Sequence, residues 1–258
     1  MMDKIIECTR TVDVTAVLLC AGLGTRSETV AKFGIPKCLI PVDGTPFLGC
    51  LIGWLRKSGI VKVIVVVHGY SDAISEFLEY GPFENTDIEI VTLTERRDTN
   101  WATHQGLKKV KTRRALVLVA DTVWKIDLQR FFSHDFTLDV CVPLTKPRPL
   151  CNRNFAVDRR GRVVEIGALP TRRSVTYMTG TGIYLITLSD AVIEGLNRGG
   201  DLDTTGFAPD DLRIGSYSHV GPLVDFGTDP QLTLLRNDLQ YWPEFFNSTD
   251  VKRDLNYR

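Results

Sequence analysis

Val17-Leu18-Leu19-Cys20-Ala21-Gly22-Leu23-Gly24-Thr25-Arg26 is the stretch on which the reading of this chain turns. An apolar run long enough for one buried strand ends in two glycines, a hydroxyl and an arginine, and Pro36-Lys37 follows shortly after. Gly22 and Gly24, lacking a Cβ, let main-chain N–H groups come close to phosphate oxygens. Arg26 adds a forked, permanent cation and Lys37 a mobile point charge, the two cation types suited to a polyphosphate. A Gly-x-Gly triplet by itself is an ordinary tight turn. The coincidence of strand, loop and both cations selects the reading of a nucleotide-phosphate cradle.

Outward from this stretch, the pattern alternates strand and helix. Pro46 stands where a helix can start, and Phe47, Leu48, Leu51, Ile52 and Leu55 recur at helical spacing before Lys57-Ser58-Gly59. Lys62 to Val67 is β-branched and nearly all apolar, as a strand covered on both faces should be. Ser71 to Tyr80 predicts a short amphipathic helix, Ile88 to Val91 a strand, Trp101 to Val110 a helix capped by Thr99 or Asn100, and Ala115 to Val119 a strand running into Asp121. This rhythm predicts an α/β fold with a parallel, doubly wound sheet, whose ligands bind beyond the carboxyl ends of the strands, where Gly22, Asn100 and Asp121 all fall. For His68, at the end of one such strand, a backbone partner is favoured over a role as catalytic base.

The second half changes character. Residues 139–144, 155–158, 163–166 and 176–187 read as strands with few helices between them, followed by a helix from Ser189 to Asn197, short strands at 214–219 and 223–226, and a final helix over 229–240. Residues 1–13 read as an N-terminal arm with a short strand around Lys4 to Glu7. The whole, 1–258, is expected to be one domain, with 14–137 binding the nucleotide and 138–258 the acceptor.

Composition narrows the classes. Lys plus Arg and Asp plus Glu number 31 each, which gives no electrostatic reason to expect nucleic acid or a membrane surface as partner. Six cysteines without a Cys-x-x-Cys pair predict reduced core thiols rather than a zinc site. The charged N-terminus and the lack of a long apolar run predict a cytoplasmic protein. The oligomeric state stays open, a homo-oligomer included.

Leu19 to Arg26, together with Pro36-Lys37-Cys38-Leu39-Ile40-Pro41-Val42-Asp43-Gly44-Thr45-Pro46, resembles the N-terminal motif of the sugar-phosphate nucleotidylyltransferases. These join an NTP to a phosphorylated sugar or alcohol and release pyrophosphate; hexose- and heptose-1-phosphate enzymes and the phosphocholine and phosphonate cytidylyltransferases are near relatives within the group. Departures from the pattern are Ser27, where the family usually has leucine, and Ala120, where a glycine commonly precedes the aspartate. The resemblance implies a three-layer, Rossmann-like nucleotide-diphospho-sugar transferase fold with a mostly parallel mixed sheet.

The chemistry so implied joins two anions and expels a third, so a Mg²⁺ ion held by one or two carboxylates is expected near the glycine loop. Asp121, after a buried strand, and Asp225, in Val224-Asp225-Phe226-Gly227-Thr228, match the family's two metal positions, the alternative for each being a helix-capping aspartate. Arg26, Lys37, Asp121 and Asp225 are the expected catalytic set. Leu19, Ala21, Gly22, Gly24, Thr25 and Arg26 would hold the nucleotide, with Asn100 and Thr103 at the position where similar proteins recognise the base; helix capping is an equal alternative for these last two. Glu165, Gly180 and Thr181 fall in segments resembling the sugar pocket, a solvated strand carboxylate being the alternative for Glu165. The first reading is an enzyme making an NDP-sugar from an NTP and a sugar 1-phosphate. The second uses CTP with a phosphorylated amino-alcohol or a phosphonate. A non-catalytic binding homologue is disfavoured by the presence of all four charged residues, and a dinucleotide oxidoreductase by the missing third glycine.

Overall fold

The computed structural model describes residues 12–22, 34–42, 44–133, 137–146, 154–167, 175–202, 206–207, 211–218, 221, 223–225 and 227–242. The expected strand at 4–7 lies outside them. The apolar run before the glycine loop forms β1 (Val14–Leu19), and after the loop come a 3₁₀ turn at Lys37–Leu39 and a two-residue hairpin, β2 (Pro41–Val42) and β3 (Thr45–Pro46). Pro46 is the N-cap of α1 (Phe47–Lys57), whose last turn carries Arg56 and Lys57 against the negative end of the helix dipole. Then follow β4 (Lys62–Val67), α2 (Ser71–Tyr80), β5 (Asp87–Thr92), α3 (Thr99–Leu107) and β6 (Arg114–Val119).

These strands pair in parallel, β6-β1-β4-β5, as the alternation of strands and helices predicts. Side chains alternate between two cores. Leu18, Val65, Leu116 and Leu118 face α1 and α2, while Val17, Ile64, Val66 and Val117 face α3. Helix α3 lies so close to the sheet that a Cβ at Gly106 would stand 2.6 Å from Cγ1 of Val17, so the contact requires glycine.

The chain continues through β7 (Thr122–Trp124), α4 (Leu128–Phe132), β8 (Val140–Thr145), β9 (Asn154–Val157), β10 (Val163–Gly167), β11 (Thr176–Gly180) and β12 (Ile183–Thr187). Next come α5 (Asp190–Asn197), capped by Ser189 as expected, β13 (Ile214–Ser218), β14 (Leu223–Asp225) and α6 (Asp229–Asn237). The expected long strand over 176–187 is present but interrupted. Because β13 runs along one edge of β8, both β11 and β12 must share the other, with Gly180 opposite Leu144 and Leu185 opposite Cys141. The interruption falls at Thr181 and Gly182, where φ of Gly182 is +76° and a Cβ would meet Val119 Cγ2 at 2.5 Å. β12 pairs antiparallel with β6, which joins the two halves of the chain in one ten-stranded sheet. Only β10, β11 and β12 run against the other strands of that sheet, so it is mixed but mostly parallel. Among the described residues no helix is long and apolar enough to cross a membrane.

At the start of β8 the Arg213 guanidinium grips Asp139 with Nε and Nη2 at 3.1 and 3.0 Å, and the Arg213 backbone N–H adds a third bond at 2.8 Å. These bonds, the side-chain pair foremost, hold the Asp139 carboxyl below its ordinary pKa against the opposing effect of burial. A depressed folded-state pKa stabilises the protein above the unfolded value, near pH 4, and that stability is lost as pH falls through the folded value. Asp139→Asn should therefore melt earlier than wild type at neutral pH, with the difference shrinking below about pH 4. Melting curves taken from pH 7 to pH 3 check this; a gap that stays constant with pH contradicts it.

Candidate active site

At the carboxyl ends of β1, β4, β5 and β6 the chain encloses a cleft of about 630 Å³. One wall is Leu19, Cys20, Ala21 and Gly22, where β1 ends. A Cβ added at Gly22 would meet nothing within 4 Å, so packing does not demand glycine there; its bare backbone opens onto the cleft. Gly24, Thr25 and Arg26 lie outside the described residues.

Lys37 opens the 3₁₀ turn after the loop, and its own burial is nearly complete at 9 % exposure. Its ammonium reaches Asp121 Oδ2 at 2.5 Å, an ion pair between positions 84 apart in sequence. Asp121 stands two residues past the end of β6, and the short ribbon of β7 with β14 places Asp225 opposite Thr122, its immediate neighbour. All three line the cleft. Neither aspartate caps a helix: Thr228 caps α6, its N–H bonded to Gln231 Oε1 at 3.0 Å, while Asp225 Oδ1 accepts from the Gly227 N–H at 2.6 Å.

Among the described residues no group of three or more His, Cys, Asp and Glu gathers as a cation cage. An ion such as Mg²⁺, which keeps most of its coordination for phosphate oxygens and water, needs only one or two carboxylates. Asp121 and Asp225, on paired strands at a cleft that also receives an ammonium, suit that requirement and no softer metal.

Cys20 and Cys38 meet behind this cluster. Their hydrogen bond, followed by burial and the negative charge of Asp121, pushes the Cys20 thiol well above its usual pKa, so it stays protonated at neutral pH and is no nucleophile. Cys20, Cys38, Cys50 and Cys141 are all buried and free, as core thiols should be. Cys8 and Cys151 lie outside the described residues. His68 lines the cleft and donates from Nδ1 to the Leu93 carbonyl at 3.2 Å, the backbone partner expected for it.

The structure turns other expected residues elsewhere. Helix α3 begins at Thr99 with Asp98 as its cap, accepting from the Trp101 N–H at 2.9 Å, rather than with Thr99 or Asn100 in that role. Asn100 is fully buried away from the cleft, its Nδ2 donating to the Gly199 carbonyl at 2.7 Å and its N–H to Gly200. Thr103, equally buried, donates to the Thr99 carbonyl at 2.8 Å. The face of α3 that meets the cleft is Thr99 and Ala102 instead. Gly180 and Thr181 do line it, but Gly180 also leaves space for the Phe155 ring, 2.6 Å from where a Cβ would sit. The Thr181 hydroxyl donates to Pro143 O and its carbonyl accepts from Trp124 Nε1. Glu165, half-buried on β10 opposite Ala156, is not on the cleft wall. Arg96, Arg97 and Asp98 are cleft residues that the sequence pattern left unassigned; their position just past β5, at the same sheet end as Gly22 and Asp121, was the available signal.

Residues 16–160 match the model of the MobA-like NTP transferase domain. The D-glycero-alpha-D-manno-heptose 1-phosphate guanylyltransferase of Campylobacter jejuni is 36% identical over 115 residues, 45% of this chain and 51% of that one. The protein of the same description from Aneurinibacillus thermoaerophilus is 26% identical over 151 residues, 58% of this chain and 65% of that one. The matches thus span from about half to just under two thirds of the length of these relatives. Among solved structures, HddC from Yersinia pseudotuberculosis complexed with GMP-PN superposes with a TM-score of 0.73 at 21% identity, covering 88% of this chain and 99% of that one. That likeness is one of fold, the nucleotide-diphospho-sugar transferase arrangement that the N-terminal motif implies.

Proposed function

The chain belongs to the MobA-like NTP transferase domain family, and from that premise we propose that it transfers a guanylyl group from GTP to a sugar 1-phosphate, a heptose 1-phosphate first among them, releasing pyrophosphate and forming a GDP-sugar. The observation that carries the reading is the convergence of Lys37, Asp121 and Asp225 in one cleft beside the open backbone of Gly22. The guanylyl donor and heptose acceptor follow the descriptions of the two curated relatives.

In this reaction an oxygen of the acceptor phosphate bonds to the α-phosphorus while the bond from that phosphorus to the pyrophosphate oxygen breaks. The acceptor is already ionised at neutral pH, so no base has to remove a proton. That suits a cleft whose one described histidine keeps a backbone partner and whose Cys20 thiol stays protonated. The protein's task is to hold two anions in line and to stabilise charge. Lys37 draws the α-phosphate and the acceptor phosphate together, and Arg26, four positions after Gly22 in the sequence, stabilises the charge that builds on pyrophosphate. Mg²⁺ held by Asp121 and Asp225 would neutralise charge across the phosphates. Gly180 and Thr181 offer backbone on the acceptor side. Free thiols and a soluble nucleotide donor support a cytoplasmic enzyme.

A panel of NTPs against sugar 1-phosphates, a phosphorylated amino-alcohol and a phosphonate, read by pyrophosphate release and product mass, tests the reading. GTP with a sugar 1-phosphate should be the best pairing. Preference for CTP with an amino-alcohol phosphate or phosphonate would replace it with the cytidylyltransferase reading. Nucleotide binding without turnover on any acceptor would make the protein a non-catalytic member of its family.

A further inference from the structure

We infer that Arg96 selects the nucleobase, its guanidinium reading the two adjacent acceptors O6 and N7 of guanine; this rests on the GTP reading above. The lysine and the two aspartates fix where the phosphates go. The rest of the cleft leads away from them between the end of β1 and the segment joining β5 to α3, and its walls there are Leu19, Ala21, Leu93 and Ala102. An apolar slot of this kind takes a planar ring, not a phosphate.

The polar groups around the slot are mostly committed. Asp98 Oδ1 holds the Trp101 N–H, and Arg97 is drawn to Glu95 at 2.7 Å and lies over the Trp101 ring at 5.2 Å. His68 is bonded to Leu93, and Asn100 and Thr103 face the protein interior. Arg96 is exposed on the cleft wall and makes no ion pair or hydrogen bond with the described residues.

A guanidinium has only donors to offer, set in a planar fork. Guanine presents O6 and N7 side by side, a match to that fork, whereas adenine puts an amino donor beside N7 on the same edge. An arginine that meets the O6/N7 edge therefore favours guanine over adenine, and CTP in the test separates guanine from the base of the competing reading.

The test is titration calorimetry with Mg²⁺ on the full chain, comparing GTP, 7-deaza-GTP and CTP on wild type and Arg96→Ala. Because Arg96 is exposed, the variant should fold, and its melting curve verifies that. Wild type should bind GTP about tenfold more tightly than 7-deaza-GTP, which lacks the N7 acceptor. In Arg96→Ala that difference should collapse, GTP should weaken about tenfold or more, and CTP should be unchanged. Two results overturn the inference alone: a GTP preference over 7-deaza-GTP that survives the substitution, or equal weakening of GTP and CTP, which would mean that Arg96 does not discriminate between the bases. A wild-type preference for CTP overturns the GTP reading itself, and it is seen before any variant is made.

Discussion

Lys37→Ala should lower turnover by about a thousandfold or more while the melting temperature stays within a few degrees of wild type. The two halves of this expectation have separate grounds. The ammonium sits 2.5 Å from Asp121 with only 10 % of the Lys37 side chain exposed, so it is held at a defined place in the cleft rather than sampling solvent. A cation fixed beforehand where charge develops costs no reorganisation during reaction, and removing such a donor typically costs two to three orders of magnitude. The fold loses much less. Asp121 is 30 % exposed and keeps the Thr122 hydroxyl at 3.3 Å, so water and that hydroxyl can take over from the lysine, and ion pairs of this partly exposed kind contribute about 1 kcal/mol or less. Lys37→Arg keeps the charge but puts a wide fork where a compact ammonium is packed, and should recover little of the lost rate. Steady-state kinetics with GTP and a sugar 1-phosphate, beside a melting curve for each variant, decide the matter. A folded Lys37→Ala protein with near-normal kcat would remove the residue from the chemistry.

Helix α3 shows why the sequence revealed the fold more fully than the site. Its existence and the parallel strands around it follow from periodicity, because Val17, Val66 and Val117 must be buried wherever the chain places them. Its phase does not. Asp98, Thr99 and Asn100 are all good N-caps, and only backbone geometry decides among them. With Asp98 in that role the helix begins at Thr99, and since each residue turns an α-helix by about 100°, Thr99 and Ala102 face the cleft while Asn100 and Thr103 turn inward. The residues that line the cleft thus stand one position before Asn100 and Thr103, the two expected there. The ribbon of β7 and β14 illustrates the other limit: three residues each, too short to carry a pattern, they exist because they pair with each other. Asp121 and Asp225 could be picked out individually from their places after apolar runs. That Asp225 would lie opposite Thr122 is a fact of register, which no local signal encodes.

The same ribbon makes the two carboxylates unequal. Asp121→Asn should reduce turnover by about a thousandfold or more, and Asp225→Asn by only about ten- to a hundredfold. Asp121 follows the central strand β6 and faces the Lys37 ammonium, so its negative charge is aimed at the point where cations gather. One oxygen of Asp225 is already bonded to the Gly227 N–H at 2.6 Å, a contact that an asparagine oxygen can also make, so that substitution keeps the turn into α6 and lowers only the charge at the edge of the cleft. Neither change alters side-chain volume appreciably, so both variants should fold. Mn²⁺ in place of Mg²⁺, followed by electron paramagnetic resonance with GTP present, separates the contributions without relying on turnover. Asp121→Asn should lose most Mn²⁺ bound to the protein–nucleotide complex, and Asp225→Asn should retain it more weakly. Unchanged Mn²⁺ binding in Asp121→Asn would mean that the nucleotide alone holds the ion, leaving Asp121 to steady Lys37; an Asp225→Asn defect as deep as that of Asp121→Asn would show that the turn at Gly227 leaves Asp225 a full share in holding it.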